Sequence, residues 1–216
     1  MSRSGIGKID LKKELRTLYS APVGDFVVLD IPALSYFMAD GHGDPNVERS
    51  YRAAVEALYA ASYTLKFMSK DSLGRDYVVP PLEGLWWAKD PADFVSRRKD
   101  RWSWTMMVMV PDFIPQAMAG AAIAKARGKR DLPALSTLRF AVLKEGQAVQ
   151  TLHIGSYDDE GPILRRLHHE FLPANRLAES GNHHEIYLGD PRKVTSARLR
   201  TILRQPVKPI RSSTIR

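Results

Sequence analysis

The chain has 216 residues, 44% of them hydrophobic and 26% charged, which suffices for a buried core and excludes global disorder. It holds no cysteine, so disulfides, thiol chemistry and cysteine-bound zinc are excluded, and a reducing cytoplasm is the compartment that fits. The 32 Lys and Arg against 24 Asp and Glu leave a net charge of +8, but the excess is dispersed, and no apolar run is long enough to span a bilayer. Neither a membrane nor a nucleic acid is therefore expected as a partner.

The opening, from Met1-Ser2-Arg3-Ser4 to about Pro22, is polar and lacks an apolar secretion core. A weak helical rhythm through Leu11, Leu15 and Leu18 predicts an arm, residues 1–19, that docks on the body. Phe26 to Ile31 reads as a strand, interrupted by Pro32 and resumed from Ser35 to Ala39 at a sheet edge. Asp40 to Pro45 is a glycine-punctuated turn, in which Gly41 and Gly43 lack a nucleotide-binding fingerprint. A helix is predicted from Val47 to Tyr63, with Tyr51, Val55, Leu58 and Ser62 at near-helical spacing.

Asp76 to Val79 and Leu82 to Trp87 read as strands around Pro80-Pro81, and Asp90 to Asp100 as a polar crossing segment. Trp102 to Val110 has the composition of a central strand. A helix follows from Phe113 to Ala126, with Pro115 in its first turn. Leu138 to Leu143 and Ala148 to Ile154 are strands, with Lys144-Glu145-Gly146-Gln147 as a hairpin turn. Gly161 to Phe171 is a helix, Glu185 to Leu188 a closing strand, and Leu199 to Leu203 a short last element before the basic tail, residues 208–216.

This order repeats. A strand ending near Ala39 is followed by turn, helix and a strand around Glu83, and one ending near Ile154 by turn, helix and a strand around Glu185. The expected fold is α+β: two pseudo-symmetric βαββ-like units in residues 20–207, forming an antiparallel sheet with helices on one face and a central ligand cleft.

Glu83 and Glu185 each lie in or beside an apolar strand, where a carboxylate needs a partner. Either both face the cleft, as counter-ions or proton carriers, or one or both point to solvent. Trp86, Trp87, Trp102 and Trp104 are the only tryptophans and lie within a short span. Trp102 and Trp104 share a strand face, whereas Trp86 and Trp87 oppose each other. Aromatic walls beside a carboxylate suit a flat apolar or cationic ligand. Tyr157 and Tyr187 are candidate donors to a ligand oxygen, and His153 a candidate for the pocket edge. The adjacent pairs His168-His169 and His183-His184 lack the spacing of a zinc site, so no metal and no cofactor are expected.

The segment Leu152-His153-Ile154-Gly155-Ser156-Tyr157-Asp158-Asp159-Glu160, followed by Pro162, Leu167 and Phe171 and later by His184-Glu185-Ile186-Tyr187-Leu188-Gly189-Asp190-Pro191, resembles the GyrI-like small-molecule-binding family, which also supplies the effector domains of multidrug-responsive transcription activators. In the first half, Pro81-Leu82-Glu83-Gly84-Leu85-Trp86 and the strand Trp102 to Val110 look like a stand-alone bacterial branch of that family. The resemblance implies two βαββ-like units around a ligand cleft and maps the family's strand glutamate onto Glu185. The residues ahead of the domain are too short for a winged helix, so a transcription activator is not expected. Some stand-alone relatives open cyclopropane rings in alkylating natural products, and their aromatic and acidic residues would map to Trp104, Glu185, Glu83 and Tyr157.

Two functions fit. In one, the protein binds and sequesters an aromatic or cationic small molecule through Glu185, Trp104, Trp102, Trp87, Tyr187 and His153. In the other, it is a cofactor-free hydrolase of strained rings, with Glu185, Glu83 and Tyr157 as catalytic groups. Either a monomer or a homodimer is compatible with the sequence.

Overall fold

The computed structural model describes residues 7–90 and 92–210, so the first residues of the predicted arm, Pro91, and residues 211–216 of the predicted basic tail lie outside the described residues. In chain order the elements are α1 (Leu11–Glu14), β1 (Val27–Ile31), β2 (Leu34–His42), α2 (Arg49–Leu73), β3 (Leu82–Ala88), α3 (Ala92–Val95), β4 (Trp102–Val110), α4 (Gln116–Arg127), β5 (Arg139–Leu143), β6 (Gly146–Ile154), α5 (Gly161–Arg166), α6 (Leu172–Ala174), β7 (Leu177–Glu179), β8 (His183–Tyr187) and β9 (Arg200–Pro209). The fold is mixed α+β, with antiparallel strand ladders.

The chain divides into two compact units: one takes residues up to Arg16 and Leu34–Leu143, the other Thr17–Ala33 and everything from Lys144 onward. In the first unit the strands run β3-β4-β2-β5. In the second they run β1-β6-β9-β8, with β7 also pairing β9. The repeat expected from the sequence is present in both. Each has strand, helix, strand, strand, and the last strand inserts between the other two: β4 between β2 and β3, β9 between β6 and β8.

Several local expectations change. β2 is an interior strand, because β4 and β5 pair on its two sides. Lys144 to Gln147 is no hairpin turn: β5 pairs with β2, whereas β6 pairs with β1 and β9, so these residues carry the chain from one unit into the other. The short last element is a ten-residue strand, Arg200–Pro209, at the centre of its unit, so β8 is not the closing strand. Of Asp76 to Val79, Tyr77 makes a single parallel bridge to Ile9 in place of a strand.

Helix α2 runs ten residues past its expected end at Tyr63. Its buried stripe continues as Leu65, Lys66 and Ser69, and the two polar members hide it from a search for apolar periodicity. The Lys66 ammonium is satisfied by the Asp76 carboxylate and by the Tyr77 carbonyl at 2.8 Å. Gly74, at φ 66°, then closes the helix with its N–H on the Ser69 carbonyl.

In the first unit α2 packs on β2 and β4, and Tyr51 of α2 meets Trp86 and Trp104 at ring-centroid separations of 6.2 and 5.2 Å. That fixes the helix-covered face as the one bearing Trp86, Trp102, Trp104 and Gly41. Gly41 is a strand residue here, not part of a tight turn. A Cβ at this position would lie 2.0 Å from the Trp104 ring, so only glycine admits the indole. In the second unit Val149 and Val207 pack with Leu167 and Leu172 from the helical segment, which marks their face of the sheet as the helix-covered one.

Candidate functional site

Strand β8 reads His183-His184-Glu185-Ile186-Tyr187, and alternation sends His184 and Ile186, 0% and 1% exposed, to one face and His183, Glu185 and Tyr187 to the other. The register places Glu185 opposite Leu203 and Tyr187 opposite Thr201, and β6 adds Thr151 and His153 to the same two rows. This is also the face of Val149 and Val207. The Glu185 row therefore lies on the helix-covered side of the second unit.

Glu185 is the centre of the cluster. Its Oε2 accepts a hydrogen bond from the Tyr187 hydroxyl at 2.8 Å. Its Oε1 lies 3.6 Å from His183 Nε2, and the two side chains are only 14% and 13% exposed. Tyr157, from the turn before α5, sets its ring edge-on to Tyr187 at 5.6 Å. Burial, reinforced by the negative charges of Glu185, Glu160 and Asp190, pushes the Tyr157 phenol up to about 12. His153 Nε2 is 3.0 Å from the Ser156 carbonyl and so braces the turn that carries Tyr157.

Three polar atoms on this face are buried without a hydrogen-bond partner among the described residues: both ring nitrogens of His183 and the hydroxyl of Thr201. Native interiors seldom leave such atoms unpaired, and the exceptions gather at functional or strained places. The row thus combines a shielded carboxylate, the Tyr187 phenol that donates to it, the Tyr157 phenol, and buried polar atoms without a partner among the described residues. It can neutralise a cation, accept a proton from water, and donate to a developing anion.

The structure brings together Glu185, Tyr187, Tyr157 and His153 of the candidate residues. Those of the first unit separate onto two faces. Glu83 is 1% exposed, accepts from the Tyr36 hydroxyl at 3.2 Å, and shares its face with half-buried Trp87. Trp104, 0% exposed, lies on the opposite, helix-covered face. Trp102 is on that face too, stacked on Phe94 at 4.8 Å and donating its indole N–H to the Asp93 carbonyl at 3.2 Å. Strand alternation alone forbids Glu83 and Trp104 from serving one ligand from one face of that sheet.

Sequence reasoning missed a buried charge network in the second unit. His184 Nδ1 and Arg204 Nη1 approach Glu145 at 2.9 and 3.1 Å, and Arg204 also bonds Gln150 and the Leu18 carbonyl. Gln150 in turn donates to the carbonyls of Thr17 and Ser20 at 2.9 Å. Burial alone would raise the Glu145 carboxyl, but His184 and Arg204 override it and hold it at about 2. The network ties the segment around Leu18 to the sheet. Glu145 stood in an apparent turn, so no periodicity marked it as buried.

The GyrI-like small molecule binding domain profile matches residues 25–208. The chain belongs to the GyrI-like family. This GyrI-like chain is 37% identical to an uncharacterized conserved protein from Listeria innocua, covering 93% of this chain and 100% of that one with a TM-score of 0.84. It is 36% identical to a hydrolase from Listeria innocua, over 93% and 100% of the two chains with a TM-score of 0.79. The EcmrR C-terminal domain, at 16% identity, 86% and 98% coverage and a TM-score of 0.54, shares the fold. No curated protein matches the chain. As a GyrI-like domain it is a small-molecule-binding protein, and none of its described helices is long and apolar enough to cross a membrane.

Proposed function

We propose that this GyrI-like protein binds an aromatic, cationic small molecule against Glu185, removing it from solution. The observation that carries the reading is the shielded Glu185 carboxylate, 14% exposed, beside the Tyr187 and Tyr157 rings and beside buried polar atoms that lack hydrogen-bond partners among the described residues. Glu185 supplies the counter-charge, and the two phenol rings supply aromatic surface. Trp104, expected from the sequence to stack on the ligand, is fully buried and serves packing in this reading. Titration of the full chain with a panel of aromatic cations tests it. Saturable binding is expected for at least one, and no binding by any would contradict it.

A second reading, cofactor-free hydrolysis of a strained ring, is favoured by the 36% identity to a protein described as a hydrolase. Glu185 would accept a proton from water as the water oxygen bonds to a cyclopropane carbon. The breaking carbon–carbon bond sends its electron pair into a conjugated carbonyl, whose oxygen takes a hydrogen bond from Tyr157 and then a proton from solvent, while Glu185 gives the proton it took from water back to solvent. Tyr157 suits that role because its phenol keeps its proton at neutral pH. Incubation with a cyclopropane-containing alkylator should give the water adduct faster than buffer does. Binding without product would leave the first reading and exclude this one for that substrate class.

A further inference from the structure

Resting on the Glu185 reading above, we propose that His183 is a second recognition residue of that site. The ligand is then an aromatic cation that also carries a neutral hydrogen-bonding group, a carbonyl, amide or hydroxyl, beside its charge.

The two neighbouring histidines of β8 differ in a way that packing does not require. His184 is fully buried and satisfied by Glu145 at 2.9 Å. His183 is only half-buried, yet both of its ring nitrogens are shielded and neither has a hydrogen-bond partner among the described residues. Its Nε2 is 3.6 Å from Glu185 Oε1, beyond hydrogen-bond length. Alternation places His183 on the Glu185 face, about 7 Å along the strand.

A neutral imidazole offers one donor and one acceptor, so a ligand group of either kind completes it. Both nitrogens are already shielded in the free protein, so a ligand carrying such a group gains a hydrogen bond that a plain ligand does not, and His183 selects by the bond it offers. On the far side of Glu185, the Thr201 hydroxyl, opposite Tyr187, is likewise buried without a partner. Glu185 thus reads the charge, and the polar atoms flanking it read what surrounds the charge.

The test uses two probes, 1-methylquinolinium and its 3-carbamoyl derivative, titrated calorimetrically into the full chain and into four variants. The native protein should prefer the carbamoyl probe about tenfold. His183→Phe and His183→Leu should each erase that preference. His183→Gln, which restores a donor and an acceptor, should keep part of it. A native protein without preference, or a preference that survives in whichever of the two apolar variants folds, overturns the role of His183. Neither probe binding the native protein, or Glu185→Gln binding the plain probe as tightly as native, overturns the Glu185 reading itself, and the inference falls with it.

Discussion

The Tyr187 hydroxyl donates to Glu185 Oε2 at 2.8 Å, along its own strand, to the carboxylate two residues before it. The bond exists because strand alternation returns every second side chain to one face. It orients the carboxylate and leaves Oε1 toward His183. Tyr187→Phe removes the donor and keeps the ring. Affinity for an aromatic cation should fall about three- to tenfold, in line with the net worth of one hydrogen bond, with little change in melting temperature. Unchanged affinity would deny the bond an orienting role.

Tyr157 should titrate near 12, late for a phenol, because burial and then Glu185 oppose its ionisation. The measurement is the difference between the phenolate absorbance curves of the native protein and Tyr157→Phe. In a Glu185→Gln background the midpoint should fall while staying above the ordinary value, since burial is the larger cause. A midpoint indifferent to Glu185 would separate the two side chains.

Gly41→Ala places a methyl 2.0 Å from the ring of the fully buried Trp104, so the indole or the strand must shift. Destabilisation of about 2–3 kcal/mol is expected, read from chemical denaturation. Trp104→Leu in the same chain should recover part of the loss, because the two changes share one contact. Strict additivity would contradict the packing described.

The Glu145 carboxyl, held at about 2 against a reference value of 4.5, is depressed on folding, so its contribution to stability is present above about pH 4.5 and is lost as the pH falls towards 2. Its size is on the order of 3 kcal/mol. Stability measured from pH 6 down to pH 2 should fall in the native protein and flatten over that window in Glu145→Gln. That variant should also be less stable at neutral pH, because Arg204 and His184 lose their buried counter-charge. Parallel curves for the two proteins would rule out Glu145 as the titrating group.

Much of the architecture was legible because it rests on local pattern. The aromatic and branched run Trp102 to Val110 is the interior strand β4, with the same bounds. The paired strand–helix–strand order around Glu83 and Glu185 is present in both units. What escaped were features decided by distant partners. Lys66 and Ser69 are polar residues that α2 buries because Asp76, the Tyr77 carbonyl and the Arg75 carbonyl await them. Strand β9 contains Arg204 and Gln205, which an apolar search rejects, and Arg204 is interior only because Glu145 and Gln150 satisfy it. For the site, alternation in β8 was enough to group Glu185 with Tyr187. The approach of Tyr157 depends on the turn before α5, and the lack of a hydrogen-bond partner for His183 and Thr201 among the described residues depends on every element packed around them, which no spacing records.

The central claim is that the Glu185 carboxylate holds the ligand's charge. Calorimetric titration of one aromatic cation into the native protein and into Glu185→Gln, which keeps shape and removes charge, tests it most directly. The account predicts affinity at least about tenfold weaker in the variant, with folding intact. Equal affinity in the two proteins would contradict it.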